Sequence, residues 1–135
     1  MIQSKLAVCA ETIVRDAETN AVSIFNIIEE IGADQFPVVI PRFSSLFLVQ
    51  RSNDDREQID GTVVFTVADK ELARAQLSID FQGKRLNRVT VVIHGLVLEQ
   101  PGNLEVKLEI DGEVNDNWIV PVNRIEAHQE HLTLG

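Results

Sequence analysis

Apolar residues recur at every second position along most of this 135-residue chain, and that period of two removes most folds before any motif is weighed. A helix needs apolar positions about 3.6 residues apart, whereas strict alternation gathers them on one side of a pleated strand. In residues 59–67, Ile59, Val63, Phe65 and Val67 fall on one side and Asp60, Thr62 and Thr66 on the other. Ala75, Leu77, Ile79 and Phe81 alternate with Arg74, Gln76, Ser78 and Asp80. Leu104, Val106, Leu108 and Ile110 alternate with Glu105, Lys107 and Glu109. Each pattern predicts a strand with one wet face.

Four other runs, residues 6–13, 22–28, 43–49 and 89–98, are apolar on both sides. Such strands need two covers: a facing sheet, and a loop, terminus or partner chain. They are expected to be central or at an interface. A last strand near residues 113–122 carries Val114, Trp118, Val120 and Val122 on one side and meets Pro121. Proline donates no ladder bond, so it places that strand's end at an edge or bulge. Asp111-Gly112 between two alternating runs is a strong hairpin signal. Pro101-Gly102-Asn103, Gln82-Gly83-Lys84 and residues 16–20 mark three more turns. Residues 68–73 allow one helical turn, and residues 29–41, with Phe36-Pro37 and Ile40-Pro41, read as a crossover between sheets. The expected fold is all-β: a single two-sheet Greek-key sandwich of immunoglobulin-like or C2-like build, with about eight strands. It occupies residues 1–123, followed by a polar tail over 124–135 that Ile125, Leu132 and Leu134 would anchor.

Charge and cysteine content narrow the function. Twelve Lys and Arg against 21 Asp and Glu leave a net charge of −9, which repels phosphate backbones and anionic lipid, so nucleic-acid and membrane partners are not expected. No run approaches the ~20 apolar residues of a membrane span. Leu6-Ala7-Val8-Cys9 has the outline of a lipoprotein cleavage box, but too few apolar residues precede it and Val8 stands where Gly or Ala belongs. One cysteine makes no internal disulfide, which favours a reducing cytoplasm, with Cys9 as a small buried hydrophobe.

A second set of residues is familiar in its order: Ala10-Glu11, Asn20, Ser23-Ile24-Phe25-Asn26-Ile27, Phe36-Pro37, Gly61, Pro101-Gly102-Asn103-Leu104, Ile110-Asp111-Gly112 and Pro121-Val122. Over residues 5–123 it resembles a family of small uncharacterised prokaryotic β-sandwich proteins known only as a domain of unknown function. Leu104 departs from the aromatic that this position often carries. The resemblance implies a fold and supplies no catalytic residue.

Four groups are candidates for chemistry. His128 and His131, with Glu130 between them, could share one side of a helical turn, yet a zinc site needs three or four ligands, and His94 is the only other histidine. His94, in a doubly apolar strand, could pair with Thr90, Thr62 or Ser78 as a hydrolase-like couple. The simpler reading is a half-buried imidazole with one hydrogen-bond partner. Asp54-Asp55 with Asp111 and Asp116 could crowd one end of the sandwich as calcium-binding loops do, although calcium needs six to eight converging oxygens. Lys84-Arg85 and Arg88 form a basic cluster able to hold a phosphate or a carboxylate. Trp118 is expected in the core, and the absence of tyrosine argues against a sugar-binding surface.

No residue is assigned a catalytic, cofactor or metal role. The expected function is a non-enzymatic interaction or assembly module acting on a protein partner or on its own copies. The alternatives are a small metal-dependent or hydrolytic enzyme using His94 or His128/His131, and a calcium-responsive ligand or membrane module.

Overall fold

The computed structural model describes residues 1–126. They form nine strands: β1 (Gln3–Arg15), β2 (Val22–Ile27), β3 (Ile31–Ala33), β4 (Val38–Gln50), β5 (Gln58–Val67), β6 (Lys70–Asp80), β7 (Leu86–Leu98), β8 (Gly102–Ile110) and β9 (Glu113–Arg124). Two sheets result, one ordered β2-β1-β4-β7 and the other β3-β9-β8-β5-β6. All strand pairs are antiparallel except β3 with β9.

The two kinds of apolar pattern separate into the two sheets. All four doubly apolar runs lie in β1, β2, β4 and β7, the strands of the four-stranded sheet, while the alternating runs lie in β5, β6 and β8 of the five-stranded one. Between the sheets, Phe43, Phe47 and Val49 of β4 and Cys9 of β1 meet Val63 and Phe65 of β5, Leu104 and Val106 of β8, and Val120 of β9. The Phe43 and Phe65 rings meet edge to face, centroids 6.1 Å apart at 79°, the arrangement that sets a positive ring edge on a negative face. Among the described residues no buried side-chain nitrogen or oxygen lacks a hydrogen-bond partner, so the core leaves no polar group desolvated at a loss.

Three expectations change. Nine strands replace eight, because β3 forms inside residues 29–41 and pairs Ile31 with Val122. That segment does cross between sheets, leaving the four-stranded sheet after β2, touching the other at β3 and returning in β4. Residues 68–73 form no helical turn. Ala68 and Asp69 have φ of 50° and 64°, and with Val67 opposite Lys70 they close a two-residue hairpin. Two positive φ angles match the right-handed twist of the flanking strands, which a helical turn would interrupt. Pro121 does not end its strand, since β9 continues to Arg124. It sits where the outer neighbour β3, paired only from Val122 onward, gives out.

The bulge in β9 lies elsewhere. Glu109 pairs with Val114 and Leu108 with Asp116, leaving Asn115 as the extra residue. Its side chain reaches the other sheet, where Oδ1 accepts from the Ser4 N–H at 3.0 Å and Nδ2 donates to the Ile2 carbonyl at 3.2 Å. A bulge frees one residue from the ladder, and here that residue ties the start of β1 to β9. Asn115→Ala removes both bonds and is expected to cost about 1–3 kcal/mol. The check is a urea melt in which the midpoint falls and the slope is unchanged.

Candidate functional site

The register of the four-stranded sheet reveals a fold-over. Ala10 lies opposite Ser44, which lies opposite Val92, and Leu6 lies opposite Leu48, which lies opposite Arg88. A straight β1 would therefore carry the β1–β2 hairpin past Val92 towards Leu98. Instead, Asn20 at the hairpin tip accepts a hydrogen bond from Arg88 at 3.4 Å, level with Leu6. The core and the second sheet fill the inner side, so the far half of the hairpin turns back over the outer side. At the bend, Ser44 Oγ donates to the Glu11 carbonyl at 3.2 Å, and Asn26 adopts a φ of 58° while its side chain donates to Glu11 Oε2 at 3.1 Å. Val8, Ala10, Ser44 and Leu46 face away from the second sheet, yet none exceeds 4% exposure.

Beneath the hairpin is a cavity of about 910 Å³. Ile13, Arg15, Asn20 and Val22 line it from the hairpin, Leu48, Leu86, Arg88 and Thr90 from the sheet, and the 80–85 turn closes one end. Four of the lining residues are cations, Arg15, Lys84, Arg85 and Arg88, against one carboxylate, Asp80. Of the eight Lys and Arg elsewhere, Arg51, Arg56, Lys70, Arg74 and Lys107 each have a carboxylate within 3.6 Å, whereas Lys5, Arg42 and Arg124 have none among the described residues. Among the described residues the four cavity cations have none. Their hydrogen bonds go to neutral oxygens. Arg15 and Arg88 both donate to Asn20 Oδ1 at 3.4 Å, and Arg85 donates to Asn53 Oδ1 at 3.0 Å.

The comparison with protein families bears on the whole of this framework. A family model described as a family of unknown function, DUF6941, matches residues 5–123. The chain belongs to that family. No curated protein matches it. The matched span includes every cavity residue, and the DUF6941 description attaches no chemistry to any of them.

The candidate residues of this DUF6941 protein are scattered. His94 is exposed on β7, opposite Arg42, and not half-buried with a hydrogen-bond partner. Pro41 and Gly95, the latter with φ of 77°, interrupt the ladder beside it, and the fold-over ends short of this level. Thr62 and Ser78 belong to the other sheet, and Thr90 lies a full four residues back along the same strand, about 13 Å at the rise of a strand. None of the three hydroxyls considered for it stands beside the imidazole. His128 and His131 lie outside the described residues.

The acidic residues are engaged separately. Asp55 takes the N-terminal ammonium at 2.8 Å and the backbone N–H and hydroxyl of Ser52. Asp111 meets Arg56 at 3.5 Å, and Asp116 accepts from the Asn117 N–H. Among the described residues no group of three or more His, Cys, Asp or Glu is placed to hold a metal ion, and no helix is long and apolar enough to cross a membrane. Cys9 is buried in the core, and burial pushes its thiol up to about 12. Trp118 packs against the core and its indole N–H donates to the Ile28 carbonyl at 3.1 Å. Lys84, Arg85 and Arg88 do cluster, as their sequence positions suggest. Arg15 and Asn20 complete the site, and no local pattern marks them, because only the fold-over brings residues so far apart together.

Asp55 supplies a pH test. The hydrogen bond from the N-terminal ammonium, followed by those from Ser52, lowers its carboxyl to about 2. A depressed folded value favours the folded form above the ordinary carboxylate range, and that contribution is lost as pH falls towards 2. NMR titration of Asp55 is expected to give a midpoint near that value. Acetylating the N-terminus should move it up towards the usual aspartate range.

Proposed function

We propose that this protein acts by protein contact and not by catalysis, with the outer side of the four-stranded sheet as its contact surface. The observation that carries the reading is the apolar residue left uncovered there. Across one row of the sheet, Ile27, Ala10, Ser44 and Val92 stand side by side. The two middle residues are buried, whereas Ile27 is 51% exposed and Val92 38%. Leu6, Val39 and Val97 extend the exposed apolar surface along the same sheet, and Val14 and Phe25 do so on the hairpin. Scattered apolar side chains are ordinary, but a set concentrated on one face marks a contact site. β2 is moreover an edge strand, which offers unpaired backbone groups to a partner strand.

The non-catalytic part of the reading rests on the separation of His94 from every hydroxyl considered for it. A reducing cytoplasmic setting fits a lone cysteine held in the core. The partner is a protein, either another copy of this chain or a different one with a matching apolar face.

Sedimentation velocity across micromolar to millimolar concentrations is the test. The wild-type chain is expected to associate, and Ile27→Glu with Val92→Glu to weaken that association by about a hundredfold, or ~2.7 kcal/mol, with an unchanged melting temperature. A strict monomer that also retains no partner from its native host would overturn the reading.

A further inference from the structure

We propose that the cavity beneath the β1–β2 hairpin binds a small organic anion, a phosphate or carboxylate group carried on a short apolar body. The volume of about 910 Å³ falls in the range of small-molecule sites, which combine apolar walls with a few placed polar groups. Ile13, Val22, Leu48 and Leu86 provide the walls. The charged groups of the lining are four cations to one carboxylate. Arg15 and Arg88 each donate to the same Asn20 oxygen at 3.4 Å, so the two guanidinium nitrogens lie no further apart than twice that distance. A neutral amide oxygen orients them without cancelling their charge. Lys84 and Arg85 add two more cations from the turn that closes the cavity.

Asp80, the single carboxylate of the lining, is not within ion-pair distance of any of them, and its Oδ1 accepts instead from the Gln82 backbone N–H at 2.9 Å. Guanidinium groups offer paired donors that match the oxygens of phosphate and carboxylate, so the cavity presents a charged end that lacks a counter-ion and an apolar remainder. This site adjoins the exposed apolar surface on the same side of the sheet but shares none of the residues named for it, and it does not depend on the protein-contact reading.

The probes are hexyl phosphate, hexanoate, inorganic phosphate and hexanol, followed by amide chemical shifts and calorimetry on the full chain at low salt. The expected result is saturable binding of at least one hexyl anion, with shifts at Arg15, Asn20, Arg88 and Leu86. It should exceed inorganic phosphate and hexanol by at least about tenfold and weaken as salt rises. The two hexyl anions distinguish a phosphate site from a carboxylate site. Arg15→Gln with Arg88→Gln is expected to reduce affinity by about tenfold or more while circular dichroism and melting stay at wild-type values. Should that pair fail to fold, Lys84→Gln with Arg85→Gln, both on the exposed turn, is expected to reduce affinity severalfold and takes its place. The proposal is overturned if neither hexyl anion saturates at millimolar concentration, if inorganic phosphate binds as tightly as hexyl phosphate, or if the charge variants bind like wild type. It is equally overturned if only an acidic peptide binds here.

Discussion

Everything distinctive about this sandwich follows from a mismatch of faces. Four strands carry apolar side chains on both sides, and the second sheet covers only one of them. At roughly 25 cal/mol for each Å² of apolar surface removed from water, the uncovered face is the largest free-energy term still open once the core has closed. Part of it is closed by the chain itself. The β1–β2 hairpin folds back, and Val8, Ala10, Ser44 and Leu46 disappear from solvent on the side away from the second sheet. Small residues at the centre of the row, Ala10 and Ser44, let the hairpin approach, and the Ser44 hydroxyl bonds to the Glu11 carbonyl where the strand turns. Cavity and exposed apolar remainder are both consequences of one cover that is smaller than the face it lies on.

The five-stranded sheet shows the ordinary solution for comparison. Apolar and polar residues alternate along β6 and β8, so much of its outer side is polar and stands in water, although Val114 and Ile119 are exposed on that side and Val64 is buried there. Glu105 and Lys107 approach to 3.6 Å there, and Asn117 donates to Glu105 at 2.7 Å. Contacts of this kind contribute little to stability individually. They help to keep that face wet, and the proposed contact surface lies on the other sheet.

How much of this could be read from the residues divides by range. Period-two alternation, Asp111-Gly112, Gln82-Gly83 and the separation of singly from doubly apolar runs are local, and they locate eight of the nine strands and the wet face of β8. The assignment of residues 68–73 to a helical turn fails because Ala, Lys, Glu and Leu favour helix in isolation, while the ladder between β5 and β6 imposes positive φ at Ala68 and Asp69. β3 escapes notice because three residues carry no period, and only β9 makes Ile31–Ala33 a strand. His94 escapes because its exposure depends on where a hairpin more than sixty residues away stops. Lys84, Arg85 and Arg88 are visible as a cluster, but Arg15 joins them only through the fold-over.

The charge distribution sets the cavity apart from the rest of the surface. With 21 acidic residues against 12 basic ones, carboxylates outnumber cations on this chain, and five of the eight Lys and Arg outside the cavity are ion-paired. Four cations gathered around one cavity with a single carboxylate run against the composition of the chain, and mutual repulsion weighs against the arrangement. Asn20 is placed between two of them with a φ of 62°, a backbone state that asparagine tolerates better than most residues. Its side chain orients Arg15 and Arg88, whereas an aspartate in the same place would neutralise them. An orienting amide where a carboxylate would be electrostatically cheaper leaves the positive potential of the cavity intact and directed at its interior, which is the physical condition for holding an anion from outside the chain.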